Sequence, residues 1–333
     1  MSDEPLADST VRLRDRFSTH AVLVLLLALG IRLAYIAQLH GSIIFSDPQG
    51  DARLHFDLGR EIAGGNWIGQ KIFYYAPLYP YVVAVVFSVC DASVLAVAIF
   101  QIALSVLEVW VIMSLARRLF GSGVGLIAGT LAACYGPFVF YTGFLLKETV
   151  GLVLLDTFLL AGVCAAQRGS LSLSCVAGLL LGLTTLVRPN LLPVTVVVAA
   201  WLWFENRRAG WSRQAATIAC FAAGVGSAVF PVAVRNYVVG KEWVLISAHG
   251  GHNFFIGNRN GATGLYMPLV PGGGQTPYEE ERDAQAIAEQ ATGLALRSSE
   301  VSAYWYARGW REIREHSGNF LRLTFKKMAI FWN

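Results

Sequence analysis

The stretch F-Y-Y-A-P-L-Y-P-Y-V-V-A-V-V-F-S-V-C, residues 73–90, decides how the rest of the chain is folded. By length it reaches the lower limit for a membrane-crossing helix, about 17 residues. Its first half, however, carries Pro77, Pro80 and four tyrosines. Proline breaks helical hydrogen bonding, and tyrosine favours the membrane–water interface. Whether 73–90 crosses or lies on the surface sets the side of every later loop.

Working outward, seven long apolar segments cover residues 18–39, 93–116, 122–142, 149–166, 171–187, 190–204 and 214–235. An eighth begins near residue 320, and the sequence ends at Phe331-Trp332-Asn333, so the expectation is the N-terminal part of a longer protein. Cytoplasmic loops are enriched in Lys and Arg. If 73–90 stays on the surface and residues 1–17 are cytoplasmic, then Arg12, Arg14, Arg16, Arg117, Arg118, Arg168, Arg207, Arg208 and Arg213 share the inner face. If 73–90 crosses, one of these groups is stranded outside. The first arrangement is therefore expected: a tail over 1–17, then a membrane domain over 18–333 with outer loops at 40–91 and 236–317.

Composition agrees. Residues are 55% hydrophobic and only 14% charged, against about a quarter charged in soluble domains. A net charge of +4 gives no case for nucleic acid. Cys90, Cys134, Cys164, Cys175 and Cys220 show no paired spacing and read as free, packed thiols. The first apolar run is too long for a signal-peptide core and reads as a retained anchor. The fold class expected is all-α, a polytopic helix bundle with short interfacial helices in the first outer loop.

That topology gathers four polar features on the outer face. In S-D-P-Q-G-D-A-R-L-H-F-D, 46–57, Asp51 is placed to cap a helix over 52–63, in which Leu54, Leu58 and Ile62 share one face. The same carboxylate suits a general base or a metal ligand. His55 lies four residues on and reads as solvated or as a weak second ligand; Asp47 and Asp57 read as surface groups. Lys147-Glu148 interrupts an apolar run, either as a salt bridge at a helix end or as an anion-attracting and orienting pair. Arg188-Pro189-Asn190 makes an outer turn; Arg188 suits either lipid headgroups or a phosphate, and Arg235 has the same two readings. Residues 250–264, G-G-H-N-F-F-I-G-N-R-N-G-A-T-G, read as a turn-rich loop or as the wall of a sugar or phosphate pocket through His252 and Asn253. Thr276-Pro277-Tyr278-Glu279 signals a capped helix over 276–291, and a further helix over 300–316 carries Tyr304, Trp305, Tyr306 and Trp310. Inside the spans, Arg32 is expected to pair with Glu108 or Asp156.

Taken in order, G-D-A-R-L-H-F-D-L-G-R-E-I-A-G-G, Y-A-P-L-Y-P-Y, A-R-R-L-F-G, L-L-K-E-T, L-V-R-P-N and G-G-H-N-F-F-I-G-N resemble the GT-C glycosyltransferases that use polyprenyl-phosphate sugars. The pattern looks like the protein O-mannosyltransferase-like group, which includes aminoarabinose lipid A transferases and lipopolysaccharide-core sugar transferases. No one motif is specific; their order and sides are. The resemblance implies a bacterial inner-membrane enzyme with its active site on the outer face. It would move one sugar, with inversion, from a lipid-phosphate-sugar donor to a hydroxyl of a lipid, glycan or protein acceptor. Asp51 falls at the family's essential first-loop acid and Glu148 at a second acidic position. Lys147, Arg188 and Arg235 would face the donor phosphate; His55, Tyr75, Asn190, His252 and Asn253 would line the substrate pocket. Tyr75-Ala76-Pro77 stands where many relatives have His-Pro-Pro. A divalent cation is compatible with this chemistry, though no ligand set in the sequence points to one. The competing class is a transporter or lipid-linked sugar flippase, which would be expected to show related halves or matching broken spans.

Overall fold

The computed structural model describes residues 5–270 and 276–332, with side chains from residue 17 onward, Ile44 apart. The side chains of Arg12, Arg14 and Arg16 thus lie outside it. Every regular element among the described residues is helical, and the chain forms two compact units. The first comprises residues up to Gly65 and Leu78–Val229; the second comprises Asn66–Pro77 and the residues from Phe230 on.

The first unit opens with α1 (Pro5–Leu39), which begins well before the apolar run. Three short helices follow: α2 (Ile43–Ser46), α3 (Asp51–Ala63) and α4 (Leu78–Cys90). At 13 residues α4 is about 20 Å long, too short for a hydrocarbon core of about 30 Å. Pro80 sits in its first turn, where a missing N–H costs no helical bond. The remaining helices are α5 (Val94–Phe120), α6 (Ser122–Cys134), α7 (Gly136–Phe140), α8 (Glu148–Arg168), α9 (Leu171–Val187), α10 (Val194–Glu205) and α11 (Trp211–Gly240). Residues of α11 up to Val229 belong to this unit.

Four helices are long and apolar enough to cross a membrane: Phe17–Leu39 of α1, and α5, α8 and α11. The pair Ser122–Cys134 and Gly136–Gly143, bent by 54°, passes the same test together, as a broken span or a re-entrant loop. The runs at 171–187 and 189–205 form helices below the usual spanning length. The chain is a helical membrane protein, with fewer helices of clear spanning length than the seven expected.

The bend after α6 explains the burial of Arg32. Pro137 has no N–H to offer the carbonyl four residues back, Ala133. Arg32 Nη1 supplies that bond at 3.0 Å and also donates to Ala28 O at 3.1 Å, while Nε donates to Ser105 Oγ at 2.9 Å. Of the two carboxylates expected to pair with Arg32, Glu108 stands within its electrostatic range, while the hydrogen bonds go to these neutral groups. Ser105 is also a hydrogen-bond neighbour of Glu108.

Helices α9 and α11 touch backbone to backbone. A Cβ on Gly178 would strike the carbonyl of Phe221, and one on Gly224 would strike that of Cys175. Small residues that permit such approach are the usual seam of packed membrane helices. At one end of the unit the basic residues collect. Arg117 lies 3.9 Å over the Phe17 ring, Arg118 Nη1 donates to Gln167 Oε1 at 2.9 Å, and Arg213 donates to Gly169 O.

The second unit holds the last part of α11, then α12 (Gly250–Asn258), α13 (Pro277–Thr292), α14 (Ser298–Glu315) and α15 (Ser317–Trp332). Residues 250–258 are helical, not a turn-rich loop. Their glycines serve packing against α14: a Cβ on Gly251 would strike Ser302 O, and one on Gly250 would strike Tyr306 Oη. The capping box of α13 is present, with Glu279 N bonded to Thr276 Oγ1 and Thr276 N to Glu279 Oε2. Phe255, Ala284, Ala288, Val301 and Trp305 form this unit's core, and Trp305 Nε1 donates to Ala284 O at 3.0 Å. All five cysteines are free thiols.

Candidate active site

One apolar cluster holds the polar end of the first unit. Ala52, Tyr79, Val83, Phe87, Val94, Val97, Leu145, Val150 and Val187 come from α3, α4, α5, α8, α9 and the turn before α8. Gly59 lets α3 close onto Val83 of α4. Buried Tyr79 donates to Gln101 Oε1 at 2.8 Å. Gln101 Nε2 in turn donates to Thr142 O at 3.2 Å and Phe144 O at 2.8 Å. The turn that delivers Lys147 and Glu148 is thereby fixed to α5. Gly151 near the start of α8 lies against Val187 at the end of α9, which brings Arg188 alongside.

The result is a group of four ionisable residues, Asp51, Lys147, Glu148 and Arg188. Arg188 Nη2 donates to Glu148 Oε1 at 2.8 Å, an ion pair with the guanidinium about half exposed. Glu148 Oε2 is buried and has no partner, as has Thr149 Oγ1 beside it. Lys147 is the N-terminal flanking residue of α8 and lies within electrostatic range of Arg188, Glu148 and Asp51. Burial, and then Arg188, push its ammonium below the usual lysine range; Glu148 and Asp51 oppose that shift. Cationic groups close to a helix N-terminus, with its own partial positive charge, make a site that favours an anion.

Asp51 departs from the expected capping role. The N-cap is Gly50, at φ 59°, and Asp51 is the first helical residue, exposed, with its carboxylate in the first turn. The positive φ suits glycine and aims the helix start without a side-chain cap. His55 also differs from the solvated expectation. It is 4% exposed, its ring lies edge-on to Tyr79 at 4.8 Å, and Nδ1 has no hydrogen-bond partner. It is buried because it falls on the face of α3 that packs on α4, one residue after Leu54. Burial, with help from the Lys147 charge, pushes it down to about 3, so the ring is neutral at ordinary pH. Asn190 is exposed in the short helical turn Pro189–Leu191.

Other expected site residues lie in the second unit. Tyr74 Oη bonds His252 Nδ1 at 3.0 Å, and His252 Nε2 bonds Glu280 Oε1 at 2.9 Å, which also accepts from Tyr266 Oη at 3.0 Å. Both ring nitrogens of buried His252 are therefore engaged. Tyr75 Oη donates to Pro277 O at 2.7 Å, and exposed Asn253 pairs with His249. Arg235 donates to Lys71 O at 2.6 Å and to Ile68 O, with its guanidinium 3.8 Å over Phe73. Sequence reasoning passed over Tyr74 and Glu280. Tyr74 stood in the quoted aromatic run, but its partner is 178 residues away. Among the described residues, no group of three or more His, Cys, Asp or Glu is placed to hold a metal ion.

Residues 75–234 match the family described as dolichyl-phosphate-mannose-protein mannosyltransferase, and this match supports a GT-C glycosyltransferase-like family. The matched stretch contains Tyr75, Lys147, Glu148, Arg188 and Asn190; Asp51, His55, Arg235, His252 and Asn253 fall outside it. No curated protein matches the chain.

Proposed function

We propose that the protein is a membrane glycosyltransferase that moves one sugar, with inversion, from a polyprenyl-phosphate-sugar to an acceptor hydroxyl on the outer face of the cell membrane. The observation that carries this is the gathering of Asp51, Lys147, Glu148 and Arg188 at one end of the helix bundle, inside or beside the mannosyltransferase match. The acceptor oxygen attacks the anomeric carbon, forming the new glycosidic bond. The bond from that carbon to the phosphate oxygen breaks, and its electron pair leaves with the lipid phosphate. Asp51 takes the acceptor proton as general base. Lys147 and the free edge of Arg188 balance the growing charge on the phosphate. Glu148 holds Arg188 with Oε1 and so orients the guanidinium, and through it the acceptor. Arg235, engaged with the carbonyls of residues 68 and 71, shapes the first outer loop in this reading rather than touching phosphate. His252 and Tyr75 likewise hold second-unit segments together.

The reading also keeps seven spans. Helix α9 returns along α8, from Gly169 beside its end to Val187 beside Gly151 near its start. It therefore crosses the layer that α8 crosses. Helix α10 goes back again, with Trp201 against Gly162 and Asn206 beside Gly169. The chain's N-terminus and its arginine-rich end then face the cytoplasm. Arg32, bonded to the carbonyl that Pro137 leaves open, accounts for one buried charge without any transport role.

The test is to supply labelled polyprenyl-phosphate sugars to membranes containing the protein and compare wild type with Asp51→Asn. Transfer is expected to fall at least about 10²-fold, with unchanged melting because Asp51 is exposed. Transfer at near wild-type rate would remove Asp51 from the mechanism.

A further inference from the structure

The second unit contains a cavity of about 390 Å³ that the reaction above does not use. Its walls are the end of α12 with the turn 259–262, and the first turns of α15 with the corner residue His316. Asn319, Arg322, Leu323 and Lys326 recur at three- and four-residue spacing, so one face of α15 looks into the cavity. Arg259, Arg322, Lys326 and His316 bring positive or protonatable groups to it, Asn258, Asn260 and Asn319 bring amides, and no carboxylate lines it.

The walls are fixed from outside the cavity. Asn319 Nδ2 donates to Asn260 Oδ1 at 3.3 Å, and Asn260 N donates to Glu312 Oε2 at 3.1 Å. Lys327 Nζ, on the neighbouring face of α15, donates to Gly257 O at 2.6 Å and closes the end of α12. Arg259 spends Nη2 on Pro268 O at 3.0 Å, which orients a guanidinium that has five N–H donors in all. Three cationic side chains at the rim of one amide-lined cavity set up a positive field that suits an anion. The volume is that of a small-molecule site, about 300–1,000 Å³. Beyond the cavity, α15 exposes Phe325, Met328, Phe331 and Trp332, the residue types that meet lipid.

We propose that this cavity binds a phosphate group carried on a hydroxylated head group. Arg259, Arg322 and Lys326 take the phosphate oxygens, and Asn258, Asn260 and Asn319 take the hydroxyls. The phosphate comes either from a membrane lipid standing beside α15 or from a soluble phosphoester. The inference does not depend on the transferase reading, because the site shares no residue with Asp51, Glu148 or Arg188.

The experiment uses the whole chain purified in detergent, and the charge-reversed variant Arg322→Glu/Lys326→Glu. Binding of glycerol phosphate and of inorganic phosphate is followed by phosphorus NMR line broadening. In a second arm, native mass spectrometry counts phosphatidylglycerol retained over phosphatidylcholine. Both side chains are exposed, and melting is measured to verify that the variant folds; Arg259→Ala is the reserve variant if it does not. Affinity in either arm is expected to fall about tenfold or more in the variant. Loss in the lipid arm alone assigns the site to a membrane lipid; loss in the soluble arm assigns it to the phosphoester itself. Equal binding by wild type and variant in both arms overturns the proposal.

Discussion

At the scale of single residues, the arginine at the end of α9 pairs with Glu148, and the proposed reaction gives its outer edge a second task, holding an anion. Arg188→Ala removes both, and kcat/KM for sugar transfer is expected to fall about 10²-fold. Arg188→Lys keeps the charge but loses the planar fork, so an intermediate loss is expected. Equal activity of all three proteins in the transfer assay would show that Arg188 serves only the ion pair. His55 gives a pH prediction. Burial holds its folded pKa at about 3, below the 6.5 of a free imidazole side chain, so between these limits the unfolded chain binds a proton that the folded one does not. Stability is therefore complete above pH 6.5 and declines as pH falls through that window. Melting temperature against pH should lose part of this slope in His55→Gln; identical slopes would mean that the ring titrates freely. Burial of His55 was not legible because Asp51-Ala52-Arg53-Leu54-His55 reads as a mostly polar helix start. Only the packing of α3 on Tyr79 decides which side of that helix is inside.

At the scale of elements, the boundaries of α3, α5, α8, α13 and α14 follow from apolar period, capping box and glycine stops that a reader can find in the chain. The interior partners do not. Arg32 was legible as a buried charge in need of a partner, but that the partner is a carbonyl released by Pro137 depends on α6 bending beside α1. The glycines of 250–258 signalled a loop by composition, whereas their task is to let α12 lie against α14. The α9–α11 seam supplies the element-scale prediction. Gly178→Val places methyl groups into the Phe221 carbonyl and is expected to destabilise the protein by about 1–3 kcal/mol or more. A fluorescence-monitored melt in detergent measures it, with Gly226→Ala as the control, since that position meets nothing within 4 Å. A Gly178→Val protein that melts with wild type would mean that the two helices do not meet as described.

At the scale of the whole molecule, the helices predict which loops share a face. Single cysteines at Asp91, Asn190 and Arg168, in a cysteine-free background, report it in intact cells. The first two are expected to react with a membrane-impermeant maleimide, and the third only after the membrane is opened. Opposite reactivity of positions 91 and 190 would separate the first outer loop from the turn after α9 and end the shared-site argument. In the chain itself, the basic loops and the order of motifs are what argue for this topology. The helices at 171–187 and 190–204 were harder, since their lengths alone fall at or below the limit, and only antiparallel packing on α8 argues that they cross.

The α9–α11 seam has a further meaning for traffic through the membrane plane. Two backbones in direct contact leave no gap for a lipid tail, and prying them apart would forfeit all of that packing at once. If the donor is the long-chain lipid proposed above, its tail would have to enter the bundle through another wall, with this seam as a fixed side.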